Sequence, residues 1–171
     1  MARFRYRIEE MTDDGGFLGL VDPHAYRSFV GEDWTLELLM ERFESEMGRG
    51  TVLVWGTGGE EQWEIEVSDA PVDAGLPIFR QVTGPITVTG GELVVVNLET
   101  VTMAAQYEDS AVGDDKETYG SGIEVPNGEY LCTISQLTDP EEERTHDGPD
   151  FHLQLVAGHT APWAGVPWSE L

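Results

Sequence analysis

The chain has 171 residues, enough for one domain with a sizeable core, and its 40% apolar fraction is that of a globular protein. Nine basic residues against 33 acidic ones leave a formal net charge of −24, and Lys116 is the only lysine. A field of that sign repels nucleic-acid phosphates and anionic lipid headgroups, so direct binding to nucleic acid or a membrane surface is not expected, whereas a cationic partner is attracted.

Residues 3–8 alternate, with Phe4, Tyr6 and Ile8 on one face and Arg3, Arg5 and Arg7 on the other, the period of a half-buried strand. The stretch 11–33 reads as a long connection, punctuated by Gly15-Gly16 and Asp22-Pro23. One helix is predicted over 34–47, where Leu36, Leu39, Met40, Phe43 and Met47 form a single core-facing stripe. Asp33 suits its amino-terminal cap, Glu32 and Glu37 suit the positive end of its dipole, and Gly48 suits its stop.

Strand material follows. TVLVWG (51–56) is apolar on both faces, while QWEIEV (62–67) puts Trp63, Ile65 and Val67 inward and Glu64 and Glu66 outward. Gly58-Gly59 predicts that these two pair as a hairpin. The Pro- and Gly-rich passage 68–85 reads as a separator. Beyond it lie strands PITVT, ELVVVNL and VTMAAQYE, an acidic loop from Glu108, and strands EYLCTISQL and DFHLQLVAG. Pro126-Asn127-Gly128 is a turn that launches the first of the last two.

The expected architecture is α+β, mainly antiparallel β in a sandwich or rolled sheet, with one principal helix. A single domain over 1–171 is expected, divisible into sub-modules 1–68 (strand, helix, hairpin) and 84–171 (β-rich). Phase adds a finer expectation. If strand 3–8 lies beside strand 62–67, their apolar faces share the core and the arginines meet Glu64 and Glu66 outside.

The pattern excludes more chemistry than it offers. Cys132 is the only cysteine, shares a strand face with Tyr130 and Ile134, and reads as a small buried apolar residue rather than a nucleophile. GTGG (56–59) and GSG (120–122) lack the lysine and the strand-to-helix setting of a phosphate loop. The acidic runs lack the ligand alternation of a calcium loop. THDGPDFH gathers His146, Asp147, Asp150 and His152, legitimate ligand types for zinc, manganese or iron, and His159 adds a third imidazole. Their spacing is irregular, so solvated loop and strand residues, with His152 pointing outward, are the favoured reading and a metal site the weaker one; no other cofactor is expected. Trp163 and Trp168, in a Pro-rich tail, either pack over an open sheet edge, the favoured reading, or stand exposed as an anchor for another protein.

Two acidic stretches remain. Glu108, Asp109, Asp114 and Asp115 belong to the first, and Asp139, Glu141, Glu142, Glu143, Asp147 and Asp150 to the second. Held outside a rigid sheet, they form a surface for a basic protein, with complementary charge speeding association. The leading expectation is therefore a non-enzymatic acidic binding protein. The alternatives are a metal-dependent enzyme using His146, Asp150 and His152, or a housekeeping β domain whose acidity is adaptation to salt. No apolar leader or span of the ~20 residues a bilayer requires is present, so a cytoplasmic location is expected.

The order GPITVTGGELVVV, acidic loop, VPNGEYLCTISQL and final strand, over residues 84–157, resembles the small sheet proteins of the bacterial nuclease-inhibitor and toxin-immunity groups, ComJ-type proteins among them. The resemblance carries no residue roles. It implies a cytoplasmic inhibitor of a basic toxin or nuclease.

Overall fold

The computed structural model describes residues 4–13, 15–107 and 121–170. In chain order these form β1 (Arg5–Thr12), β2 (Phe17–Val21), α1 (Leu36–Gly48), β3 (Val52–Gly56), β4 (Gln62–Ser68), β5 (Arg80–Val88), β6 (Glu92–Asn97), α2 (Leu98–Gln106), β7 (Ser121–Glu124), β8 (Gly128–Gln136) and β9 (Phe151–Ala157). The strands make a five-stranded sheet, ordered β1-β4-β9-β8-β5, and a four-stranded sheet, ordered β3-β2-β6-β7. Every pairing is antiparallel except β4 with β9. The α+β, mainly antiparallel expectation is met. Both sheets draw strands from both sides of residues 69–79.

Strand patterning sorts the layers. Strands β2, β3 and β6 are apolar on both faces and form the middle layer. Their inner side chains, including Leu20, Leu53, Trp55 and Val95, meet Ile65, Ile134, Phe151 and Leu153 of the five-stranded sheet in the central core. Phe151 joins Trp55 at 5.8 Å and Trp63 at 5.2 Å between ring centroids. The other side of the middle sheet, Val21, Val52, Val54, Val94 and Val96, packs under Leu39, Phe43 and Met47 of α1 and Val101, Ala104 and Ala105 of α2.

Several local expectations change. Thr35, not Asp33, caps α1, accepting from the Leu38 amide at 3.2 Å, and Arg49 closes it. FLGLV is a central strand inside the predicted connection; Gly19 leaves room that a Cβ would fill, 3.1 Å from Val96 and 3.4 Å from the Leu53 carbonyl. VTMAAQYE lies largely in α2. Asn97, the last residue of β6, accepts from the Thr100 amide at 2.9 Å and starts a helix that a strand reading misses. Residues 51–56 and 62–67 are not a hairpin: β3 and β4 lie in different sheets, and the chain crosses the core edge at Thr57–Glu61. Gly90-Gly91 joins β5 to β6, which lie in different sheets. Strand β5 starts at Arg80, within the predicted separator.

The pairing of β1 with β4 holds in register, Arg7 opposite Glu66 and Ile8 opposite Ile65. Arg5 lies 3.0 Å from Glu66, and Arg7 reaches Glu66 at 2.7 Å and Glu64 at 3.4 Å. Arg3 lies outside the described residues.

Tail and edges fit as expected. Trp163 donates from Nε1 to the Pro85 carbonyl at 2.8 Å and lies flat on Gly84, where a Cβ would sit 2.2 Å from its ring. Trp168 stacks on the Arg80 guanidinium at 4.4 Å, and the Pro167 carbonyl accepts from the Gly56 amide at 3.0 Å. The tail thus closes the side of the sandwich where β5 and β3 are edge strands.

Candidate functional site

The turn between β8 and β9, residues 137–150, carries the second acidic stretch at one end of the five-stranded sheet. It is held from inside by Asp150, which is only 5% exposed. One carboxylate oxygen of Asp150 accepts from the Thr138 hydroxyl at 2.6 Å, the other from the Glu64 amide at 2.8 Å. The Asp150 amide donates to the Glu64 carbonyl, and its carbonyl accepts from Leu137, both at 2.7 Å. Asp150 thereby joins the two ends of the turn to each other and fixes its own end to β4. Asp150 is a buried structural carboxylate, which corrects its place among the solvated partner-binding acids.

The remaining acids of this turn lie outside. Asp139 folds the tip, its side chain accepting from the Glu141 amide at 2.9 Å and its carbonyl from the Glu142 amide at 3.1 Å. Glu141, Glu142, Glu143 and Asp147 are exposed. The one cation in the turn, Arg144, points back toward the sheet, 3.1 Å from Glu64 and 3.8 Å from Asp150. Among the described residues no ion pair reaches Glu141, Glu142 or Glu143. Pro140 rests on Gly58, where a Cβ would lie 2.6 Å from the proline ring, so the crossing from β3 to β4 supports the tip.

Beside the acids stand two residues that sequence reasoning placed in a spacer. Ile78 and Phe79 are 47% and 46% exposed, fixed by the Phe79 amide donating to the Gln136 carbonyl at 2.8 Å. Together with Asp139, Glu142 and Glu143 they surround a shallow hollow of about 190 Å³. The hollow thus sets two exposed apolar side chains beside the carboxylates of the turn. The signal in the sequence is the pair Ile78-Phe79 standing just ahead of a strand that begins at Arg80.

The metal candidates disperse. The His146 ring meets the Pro149 carbonyl at 3.0 Å, Asp150 is occupied as described, and His159 pairs with Glu129 at 2.6 Å at the opposite end of the sheet. His152 lies on the outer face of β9 but is 3% exposed, its Nε2 3.8 Å from Glu66. Burial holds its imidazole below the usual histidine range, against the pull of Glu66. Among the described residues no three His, Cys, Asp or Glu side chains gather around a position a metal ion could take.

Cys132 is fully buried, and burial pushes its thiol far up, the opposite of an activated nucleophile. Two further aspartates also turn inward. Asp13 accepts from three amides of Gly15–Phe17, from the Thr57 hydroxyl and from Trp63 Nε1. Asp22 accepts from the His24 amide and from the Thr89 amide and hydroxyl. Glu108, Asp109, Asp114 and Asp115 lie outside the described residues. No helix among the described residues is long and apolar enough to cross a membrane.

No protein-family model matches the sequence, and no curated protein does. Among solved structures the chain is similar to ComJ from Bacillus subtilis, the inhibitor of the DNA-degrading activity of NucA. The TM-score is 0.53 at 11% identity, over 92% of this chain and 98% of that one. It is also similar to the product of crocagin biosynthetic gene J, with a TM-score of 0.57 at 13% identity, over 90% of this chain and 95% of the other. At these identities the likeness is one of fold. It agrees with the resemblance drawn from the strand order and extends it to the amino-terminal helical part.

Proposed function

We propose that the chain is a non-enzymatic acidic binding protein, an inhibitor or immunity-type protein that docks on a basic partner such as a nuclease or toxin. The observation that carries this reading is the β8–β9 turn: exposed Glu141, Glu142, Glu143 and Asp147, beside Asp139, Ile78 and Phe79, on a base pinned by Asp150. A rigid base keeps the entropic cost of docking low, the carboxylates steer a cationic surface into register, and the two apolar side chains supply desolvated contact. The fold shared with a nuclease inhibitor is compatible with that role. On this reading the acids of 108–115 add to the same steering field.

The experiment is capture from cells that encode the chain, at low salt and again at about 0.5 M, where exposed charge pairing is screened. A basic nuclease or toxin is expected to be retained at low salt and largely released at high salt. The triple substitution Glu141→Lys, Glu142→Lys, Glu143→Lys is expected to abolish its capture and inhibition. A partner held equally by that variant overturns the assignment of the turn.

A further inference from the structure

At the opposite end of the sandwich, where β1 begins and β9 ends, the two sheets part around a cavity of about 770 Å³. Its floor is Leu155, a core residue; its walls are the rings of Phe4, Tyr6 and Tyr130; Asp69 and Glu124 stand at its rim. We propose that this mouth is a binding site for a small aromatic amine, a flat apolar ring carrying a primary ammonium.

Three features of the mouth select that chemistry. Its volume falls within the roughly 300–1,000 Å³ of small-molecule sites. Its walls are preorganised. The Tyr6 hydroxyl of β1 donates to the Glu124 carbonyl at the end of β7 at 3.2 Å, and the Tyr130 hydroxyl of β8 donates to the Pro126 carbonyl just beyond it at 2.6 Å, so both phenols are held. Phe4 leans on Tyr6 with ring centroids 6.1 Å apart. Held rings take a flat body without first losing side-chain freedom. The charge is one-sided as well: no Lys, Arg or His is among the described residues lining the cavity, whereas Glu124 stands exposed at the rim and Asp69, already engaged with the Phe4 amide at 3.4 Å, lies beside it. A cation is drawn by Glu124 and by the negative faces of the aromatic rings; an anion is repelled.

The site lies at the far end of the five-stranded sheet from the acidic turn, so the outcome here leaves the docking proposal untouched. The experiment is calorimetric titration of the full chain with tryptamine, its neutral analogue tryptophol and its anionic analogue indole-3-acetate, at about 0.15 M salt to screen diffuse attraction. Saturable one-to-one binding of tryptamine is expected, at least about tenfold weaker binding of tryptophol, and none of indole-3-acetate.

Tyr130→Ala is expected to remove a wall and most of the affinity. Glu124→Lys, a substitution at an exposed rim position that leaves the carbonyl accepting from Tyr6 in place, is expected to weaken tryptamine at least about tenfold. Glu44→Lys on α1 makes the same change in net charge elsewhere and should leave binding unaltered. Absence of saturable tryptamine binding overturns the proposal. So does equally tight binding of indole-3-acetate, or equal losses from Glu124→Lys and Glu44→Lys.

Discussion

The two sheets share one core but present opposite outer faces. The middle sheet turns Val21, Val52, Val54, Val94 and Val96 outward and needs two helices to cover them. The five-stranded sheet turns out a polar row, Arg7–Glu66–His152–Ser135–Gln81, one residue from each strand in direct register. That row satisfies itself at both ends: Arg7 meets Glu66 at 2.7 Å, and Gln81 donates to the Ser135 hydroxyl at 2.8 Å. One face is apolar and lies under two helices; the other is polar, with its middle members Glu66, His152 and Ser135 buried and its end pairs hydrogen-bonded.

The comparison breaks most severely on the apolar side. Phe43 is fully buried between α1 and the middle sheet. Phe43→Ala removes that contact and leaves a cavity, an expected loss of about 3–5 kcal/mol by chemical denaturation. A loss below about 1 kcal/mol would mean that α1 is not what seals the sheet.

A smaller effect is expected on the charged face. Glu66 is buried beneath Arg5 and Arg7, which are themselves about half exposed, so Glu66→Gln leaves two guanidinium groups that water can still reach. Loss of the charge-assisted hydrogen bond to Arg7 is expected to cost about 1.5 kcal/mol, measured in the same way. If Glu66→Gln proved as costly as Phe43→Ala, the charged row would be as structural as the apolar layer and the contrast between the faces would fail.

The same contrast explains what was legible in the sequence. Alternation in residues 3–8 and 62–67 foretold the β1–β4 pair and its ion pairs, because a half-exposed strand writes its orientation into every second residue. A strand covered on both faces writes no such phase. FLGLV, framed by Gly15-Gly16 and Asp22-Pro23, therefore passed as a connection although it is the strand between β3 and β6. The predicted β3–β4 hairpin failed for a reason the residues did contain: TVLVWG is apolar on both faces and QWEIEV on one, so they belong to different layers.

The candidate site was legible as charge but not as shape. Nothing local distinguishes Asp150, which turns inward to two donors, from Glu142, which does not; the donors are supplied by Thr138 and by Glu64, far away along the chain. Ile78 and Phe79 were hidden by the Pro and Gly around them, which speak for backbone irregularity and say nothing about exposure.

The finest probe of the charged face is His152, the middle member of the row. It is buried, its Nε2 has no hydrogen-bond partner among the described residues, and the charged groups facing it are Glu66, Arg5 and Asp73. Burial disfavours the imidazolium more than Glu66 favours it, so the folded chain takes up this proton at lower pH than the unfolded chain, whose histidine titrates at about 6.5. The sign follows: stability from neutral His152 is full above that pH and is lost as pH falls below it, by at most about 1.4 kcal/mol per pH unit. Urea midpoints for wild type and His152→Gln, compared from pH 7.5 down to pH 5.5, isolate this contribution from other titrating groups. The wild-type midpoint is expected to fall more steeply than that of the variant. A wild-type profile that rises on acidification relative to His152→Gln would show the Glu66 attraction winning, and the charged face would then tolerate one more buried cation than its packing implies.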